Sequence, residues 1–347
     1  MSLAAALTAL PSRHSLHWIF EARGLRSSKS KEDNMRLGRR LTILVAMVLG
    51  SAVLSGSPAQ AAYYNTYSDI ASTPNTSCCT GAQGFAAGST YLYSIKNHTN
   101  YDDVSVIYRV HKTTGARVVM TNGTNNTSTN TWLGHGNDMT IVDIDGQHHL
   151  FVVTMKATGA QLVKLRYDGT TYYHAGSYQL RLNGAVATPS GISRVSVNST
   201  EIAFMFKSGR TIYNASLPLR AASGTINLTP AFALQVDGAL VNGATVTDLG
   251  TFTNQGFFYD AAKRVLYYPL TKDNRSIVLV YRNVLPTTTG TAPAAIDLSF
   301  RITSSAYSLF EIEGVGISDG KLYFNTNRAN SSGSYDGVHV FNGYVAA

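Results

Sequence analysis

Residues 83–95 read Gln-Gly-Phe-Ala-Ala-Gly-Ser-Thr-Tyr-Leu-Tyr-Ser-Ile, and this order of features returns four more times along the 347-residue chain. The first five residues are typical of a short apolar strand, the Gly-Ser pair of a turn, and the rest of a second strand. Val104 to Val110 follows after a polar loop as a third strand. The unit therefore predicts antiparallel β-structure.

One glycine near the start of each copy sets the period of the repeat. These glycines are Gly84, Gly136, Gly191, Gly256 and Gly314. The steps between them are 52, 55, 65 and 58 residues. A fourth strand is predicted between successive copies, at Arg117 to Thr121, Tyr172 to Leu180, Ile226 to Leu234 and Ala295 to Ile302. Five four-stranded units predict an all-β, five-bladed β-propeller.

The last copy lacks its fourth strand because the chain ends at Ala347. Tyr63 to Ile70 has the composition to fill that place, so we expect an N-terminal strand to complete the last blade. Closure of this kind leaves no open strand edge. The alternative is a β-sandwich or two small sheets.

The N-terminal segment predicts export. Residues 35–40 are positively charged, Leu41 to Leu54 is an apolar run of 14 residues, and Ala59-Gln60-Ala61 offers small residues for cleavage. We therefore expect residues 1–61 to be a leader, with 35–61 as the signal peptide and 1–34 an over-called start. Arg39-Arg40 leaves twin-arginine export open beside the general secretory route. The apolar run is too short for a permanent membrane anchor.

Residues 62–347 are then one secreted propeller domain, and their charge excludes one class of partner. The whole chain has a net charge of +8. Residues 1–61 hold eight of the 28 basic and three of the 20 acidic residues, which leaves a net charge of +3. With a net charge of only +3, residues 62–347 offer no extended row of basic residues that would neutralise several phosphates, so no nucleic-acid partner is expected.

Cys78 and Cys79 are the two cysteines, and they are adjacent. In an oxidising compartment they are expected to close a vicinal disulfide. Free or intermolecular thiols are the alternative. Two cysteines are too few for a cysteine zinc site, and no metal site is predicted from the sequence.

Carboxylates near the innermost strands are the candidates for catalysis. Glu311 and Glu313 alternate with Phe310 and Ile312, so both carboxylates fall on one face of a strand. Their repulsion predicts a raised pKa for one of them and a setting for acid–base chemistry or a calcium ion. Together with Asp138 they could supply the two opposed carboxylates that a glycosidase needs. Alternatively, one Glu pairs with an arginine and the other faces solvent.

Ligand-binding candidates gather at the same strands. They are Gln83, His135, Asn137, Asp138, Arg194, Gln255, Glu311 and Glu313. Glycines flank His135, which favours close approach of a ligand, although a histidine that holds loops together is the alternative. Aromatic rings suit stacking on sugars or packing between blades. These rings are Phe85, Trp132, Phe257 and Phe310.

Three segments resemble the helveticin-type large bacteriocins: Gly134 to Asp138, Phe151 to Lys156 and Phe310 to Val315. The resemblance covers most of the chain after residue 61. It implies an exported propeller that acts on, or docks to, the envelope of other bacteria, and it carries over no catalytic residues. The leader is a departure that puts a shared role in doubt.

Taken together, the sequence predicts a secreted, monomeric protein that binds a cell-envelope or extracellular glycan, with no cofactor. It leaves open an antagonist of other bacteria. The alternative is a propeller glycoside hydrolase that uses paired carboxylates. A third hypothesis is a structural or adhesion module with a protein partner.

Overall fold

A computed structural model describes residues 66–295 and 299–342. The predicted leader and Tyr63 lie outside these residues. Strands make up almost all of the regular structure, and the helical structure in the described ranges is one 3₁₀ turn, Leu249–Thr251. No helix in this part of the chain is long and apolar enough to cross a membrane.

Five sheets, here called sheets I to V, follow one another along the described chain. Sheet I contains Gly81–Ala87, Tyr91–Asn97, Ser105–His111 and Arg117–Val119. Sheet II contains Asp138–Ile144, Gln147–Val153, Leu162–Asp168 and Thr171–Leu182, and the last of these also pairs with Thr121–Asn122, Ala185–Val186 and Ser223–Asn227. Sheet III contains Gly191–Val197, Glu201–Ser208, Thr211–Pro218, Thr229–Leu234 and Gly290–Ala292.

Sheets IV and V complete the series. Sheet IV contains Val265–Lys272, Arg275–Tyr281 and Phe300–Thr303, and both Thr253–Asn254 and Phe258–Asp260 pair with its strand Val265–Lys272. Sheet V contains Leu309–Ser318, Lys321–Asn330, Gly337–Phe341 and Tyr67–Ser72, with Gly333–Ser334 paired to Lys321–Asn330. A small ribbon is formed by Leu240–Val241 and Ala244–Thr245.

Apolar layers between neighbouring sheets form the core. Phe151 of sheet II packs against Phe204 of sheet III, with ring centroids 5.1 Å apart. Phe300 of sheet IV meets Phe341 of sheet V at 4.7 Å. Both faces of the sheets are therefore covered, which explains why strands such as Gln147–Val153 are apolar over most of their length.

The first strands of the sheets contact one another directly. The Gly84 amide donates to the Gly136 carbonyl over 2.8 Å, and the Gly256 amide donates to the Glu313 carbonyl over 2.9 Å. A Cβ at Gly84 would lie 2.6 Å from that Gly136 oxygen, so a side chain there would force the two segments apart. These contacts and the sheet order define an all-β propeller, which confirms the predicted fold type.

The N-terminal strand completes the last sheet, as predicted. Tyr67–Ser72 pairs antiparallel with Gly337–Phe341 at the outer edge of sheet V. The strand runs to Ser72, two residues beyond the predicted end at Ile70. The first and last described segments therefore share one sheet.

The prediction of one strand from Ile226 to Leu234 is wrong. The segment divides at Leu228, whose amide donates to the Arg181 carbonyl of sheet II over 2.7 Å. Ser223–Asn227 runs parallel to the fourth strand of sheet II, and Thr229–Leu234 is the fourth strand of sheet III. The continuous apolar pattern concealed this change of sheet.

The vicinal disulfide is confirmed. Cys78 and Cys79 are bonded in the link between the N-terminal strand and the first strand of sheet I. Cys79 is fully buried and packs with Val106 and Tyr108, and its amide donates to Thr76 Oγ1 over 3.1 Å. The bonded pair therefore fixes this link against sheet I.

Candidate functional site

Glu311 and Glu313 lie on the same side of their strand, as predicted, and contact a residue that the sequence did not single out. Asn327 Nδ2 donates to Glu313 Oε1 over 2.5 Å and lies 3.4 Å from Glu311 Oε2. Gln255 lies between the sheet IV strands Thr253–Asn254 and Phe258–Asp260, and its Nε2 donates to Glu311 Oε1 over 2.6 Å. Asn327 is opposite Glu311 in the hairpin because the register shifts by one residue between Ile312 and Gly314, whereas counting back from the Asp319-Gly320 turn would have placed Arg328 there.

Glu313 has the raised pKa that the paired carboxylates predicted. Its side chain is 1% exposed, and burial raises the pKa well above its usual range, with the nearby Glu311 charge as the second cause. Glu313 Oε2 is buried without a hydrogen-bond partner among the described atoms. Burial and the Glu311 charge therefore both favour the protonated, neutral form of Glu313.

Replacing Glu313 with glutamine is expected to remove a pH-dependent loss of stability. The unfolded chain releases the Glu313 proton from about pH 4.5 upward, whereas the folded chain retains it, so stability falls as pH rises towards the folded pKa. Relative to the variant, the wild type should lose up to about 1.4 kcal/mol per pH unit across this window. Urea unfolding at pH 5, 6, 7 and 8 measures the difference.

The matched control for that change is Glu201→Gln, because Glu201 is exposed on sheet III. It should follow the wild type at every pH. Equal pH dependence of the wild type and Glu313→Gln would contradict the assignment of a raised pKa.

Asp138 is buried where segments of sheets II, III and IV meet, and it does not face an open site. Its carboxylate is 1% exposed and accepts three backbone hydrogen bonds. The donors are the amides of Met139 at 2.9 Å, Ile192 at 3.0 Å and Phe257 at 3.1 Å. In this arrangement the carboxylate joins sheets II, III and IV, and it has no open path to a substrate.

Buried Lys207 is the cation that Asp138 interacts with. Burial raises the pKa of Asp138 against the effect of its amide donors and of Lys207, and burial lowers the pKa of Lys207 against the effect of the Asp138 charge. Lys207 Nζ donates to Ser190 Oγ over 2.9 Å and to Asn254 Oδ1 over 2.7 Å. No sequence pattern marks this lysine, which follows the apolar residues Phe204 to Phe206 near the end of an ordinary strand.

His135 and Asn137 hold neighbouring segments together. His135 Nδ1 lies 3.0 Å from both carboxylate oxygens of Asp102, and Asn137 donates to the Ser190 carbonyl over 2.6 Å. Gln83 is buried, and its Oε1 has no partner within the described residues. In those same ranges, no group of three or more His, Cys, Asp or Glu side chains is arranged to hold a metal ion.

A cavity of about 900 Å³ opens at the far ends of the innermost strands. All five sheets line it from their first strands, among others through Ala87, Ile141, Arg194, Asp260 and Ile317. Arg194 is the one predicted ligand-binding residue in its lining. The other seven predicted ligand-binding residues lie outside this lining, so the cavity does not bring Arg194 together with them.

Aromatic rings from sheets I and II form one side of this cavity. The Arg109 guanidinium lies 4.1 Å above the Tyr91 ring. The Tyr93 and Tyr167 rings are 5.0 Å apart, and His148 stacks beside Tyr167 at 5.7 Å. These residues come from second and third strands, so the sequence repeat did not mark them as neighbours.

The charged side chains of the cavity differ in their partners. Asp143 accepts from the Gly146 amide at 2.8 Å and lies 3.1 Å from His148 Nδ1. Asp260 accepts from the amides of Ala262 and Lys263, both at 3.1 Å. The exposed Arg194 guanidinium makes no hydrogen bond or ion pair in residues 66–295 and 299–342. The cavity thus combines rings, hydroxyl groups and an open cation.

Neither a protein-family model nor a curated protein sequence matches the chain. Three similar solved structures share 8–10% identity with it. A GH43_1 enzyme from Xanthomonas citri complexed with xylotriose has a TM-score of 0.47 over 80% of this chain and 89% of that one. An exo-1,5-α-L-arabinanase from a bovine ruminal metagenomic library has 0.43 over 76% and 94%. The Dos1 propeller has 0.30 over 77% and 69%. At these values the proteins indicate nothing about the ligand of this chain.

Proposed function

We propose that this chain is a secreted propeller of five blades, sheets I to V, that binds an extracellular glycan in the cavity at the ends of its innermost strands. The observation that carries the proposal is the lining of that cavity. Its volume of about 900 Å³ falls within the range of about 300–1,000 Å³ typical of small-molecule sites. It is large enough for several sugar units.

The chemistry of the lining favours sugars over apolar ligands. Tyr91 of sheet I and Phe258 of sheet IV are partly exposed rings in the lining of the cavity, and such rings pack against the C–H faces of pyranoses. Ser89, Thr90 and Gln147 add hydroxyl and amide groups that match sugar hydroxyls. An apolar ligand would leave these polar groups without partners.

Binding is favoured over hydrolysis by the positions of the carboxylates. A glycosidase needs two carboxyl groups, about 5–9.5 Å apart, on either side of the bond that is cleaved. Glu311 and Glu313 are two residues apart on one strand and share Asn327, and Asp138 is enclosed by backbone amides. The glycoside hydrolase alternative remains a hypothesis that the assay below addresses.

The proposed target is a glycan of the cell envelope of other bacteria, and the protein would act there as an antagonist. This part of the proposal is supported by the resemblance to the helveticin-type bacteriocins. The predicted leader supports export.

Replacing Tyr91 with alanine is expected to weaken glycan binding about tenfold. Loss of one ring contact corresponds to about 1.4 kcal/mol. The experiment measures binding of the purified chain to a panel of plant, fungal and bacterial cell-wall polysaccharides, together with release of reducing sugar. Circular dichroism and thermal unfolding establish that the variant is folded.

Tyr101→Ala is the matched control, since Tyr101 is 71% exposed and lies outside the cavity. It should bind as the wild type does. A folded wild-type chain that binds no polysaccharide overturns the proposal and favours a protein partner. Release of sugar that Glu311→Gln abolishes would establish the hydrolase instead.

A further inference from the structure

The geometry points to an anionic glycan as the ligand of this cavity, with Arg194 pairing to its carboxylate or phosphate group. This inference rests on the proposed function and adds the chemical class of the ligand. Its basis is a difference among the charged side chains of the cavity: Asp143 and Asp260 have hydrogen-bond partners, whereas the Arg194 side chain has none in the described residues.

Arg194 presents an exposed guanidinium in the lining of the cavity. It belongs to the innermost strand of sheet III, and its backbone is fixed by the hydrogen bond from its amide to Thr140 Oγ1 at 3.3 Å. The side chain is exposed and has no hydrogen bond or ion pair in the described part of the chain. Five guanidinium N–H groups are thus available, in a planar fork that matches carboxylate and phosphate oxygens.

Two of the carboxylates that line the cavity are already occupied. Asp143 is held by the Gly146 amide and His148, and Asp260 closes a turn through two backbone amides. The third, Asp168, is exposed at the turn that ends the third strand of sheet II. Since none of these carboxylates pairs with Arg194, its charge remains available for a ligand.

Arg109 of sheet I adds a second guanidinium to the lining of the cavity. One of its nitrogens, Nη1, donates to the Gly169 carbonyl, and the group stacks on Tyr91. This contact positions the Tyr91 ring and leaves further N–H donors free. A sugar stacked in the cavity would then have cationic groups from sheet I and sheet III within reach of an acidic substituent.

Binding constants of four polymers to the full chain test the inference. Polygalacturonate supplies carboxylates, teichoic acid supplies phosphates, and methyl-esterified pectin and dextran are uncharged probes. We expect at least one anionic polymer to bind about tenfold or more tightly than the uncharged probes. That preference should shrink as NaCl rises from 50 to 500 mM.

Arg194→Gln should reduce binding of the preferred anionic polymer about tenfold, a loss several times greater than the one it causes for the uncharged probes. Arg301→Gln is the matched control, because Arg301 is an exposed arginine on the outer strand of sheet IV. It makes the same change in net charge and should have no effect. The carboxylate and phosphate arms identify which acidic group is recognised.

Equal binding of anionic and uncharged polymers, or equal loss in the Arg194 and Arg301 variants, would overturn the inference but leave the proposed glycan-binding function intact. If no polymer binds to the folded chain, the proposed function itself fails. If Arg194→Gln does not unfold cooperatively, Arg194→Lys replaces it in the experiment. Lysine keeps the positive charge, so this variant should retain part of the preference for anionic polymers.

Discussion

Replacing Asp138 with alanine is expected to lower the free energy of unfolding by about 3–5 kcal/mol. The change removes the acceptor of three buried backbone amides, those of Met139, Ile192 and Phe257. Each unsatisfied buried donor costs about 1–3 kcal/mol. It also leaves Lys207 buried without the carboxylate that interacts with it. Urea unfolding at pH 7 measures the loss.

The size of the effect reflects the position of Asp138 among three sheets. A Cβ at Gly256 would lie 2.8 Å from the Asp138 carboxylate carbon, so the segment before Phe257 approaches the carboxylate as closely as glycine allows. Removing the carboxylate takes away the protein acceptor that these segments share. Sheets II, III and IV are therefore expected to separate more easily in the variant.

Two further variants keep the test decisive. Asp168→Ala removes an exposed carboxylate from the end of a strand in sheet II and should change stability by less than about 0.5 kcal/mol. Asp138→Asn retains one acceptor oxygen but turns an amide group towards the remaining donor, so it should fall between the wild type and alanine. If Asp138→Ala does not fold, the asparagine variant carries the measurement. Wild-type stability in both Asp138 variants would contradict a structural role.

The repeat made the fold predictable because each unit marks its first strand in the same way. Gly84 and Gly256 recur since innermost strands approach one another too closely for a side chain. The turns and strand alternation then supplied the order of the sheets. The change from sheet II to sheet III at Leu228 was not predictable. The sheet that a strand joins depends on backbone contacts between distant segments, and these contacts leave no trace in the local apolar pattern.

The candidate site was less predictable than the fold. Unusual side chains on innermost strands were singled out, yet Glu313 and Asp138 are buried, and both bond to neighbouring segments. The cavity instead takes rings such as Tyr91 and Tyr167 from second and third strands. Their side chains become neighbours only when two sheets pack together. In the sequence, a tyrosine that lines a cavity has the same pattern as a tyrosine that packs in the core.

Replacing Lys96 with alanine is the other change with a large expected effect, again about 3–5 kcal/mol. Lys96 of sheet I is fully buried and its Nζ lies 2.9 Å from Asp336 Oδ2 of sheet V. The same nitrogen donates to the Thr73 carbonyl at 3.0 Å and to Asn75 Oδ1 at 2.6 Å. One ammonium group thus joins the first sheet, the last sheet and the segment after the N-terminal strand.

The pair is expected to matter because Asp336 cannot be hydrated once its partner is gone. Its side chain is 3% exposed, and its other oxygen already accepts from the Arg328 amide at 2.8 Å. A buried carboxylate without a cation costs more than the pair itself contributes, so Lys96→Met with Asp336→Leu should recover much of the loss. Urea unfolding of both single variants and the double variant measures this coupling.

Lys112→Ala provides the matched control for the closure of the ring. Lys112 also joins sheet I to sheet V, through Asp319, but that aspartate is 71% exposed and can be hydrated when the lysine is removed. Its loss should therefore cost no more than about 1 kcal/mol. If Lys96→Ala and Lys112→Ala were equally mild, the buried ion pair would not be what holds the first and last sheets together.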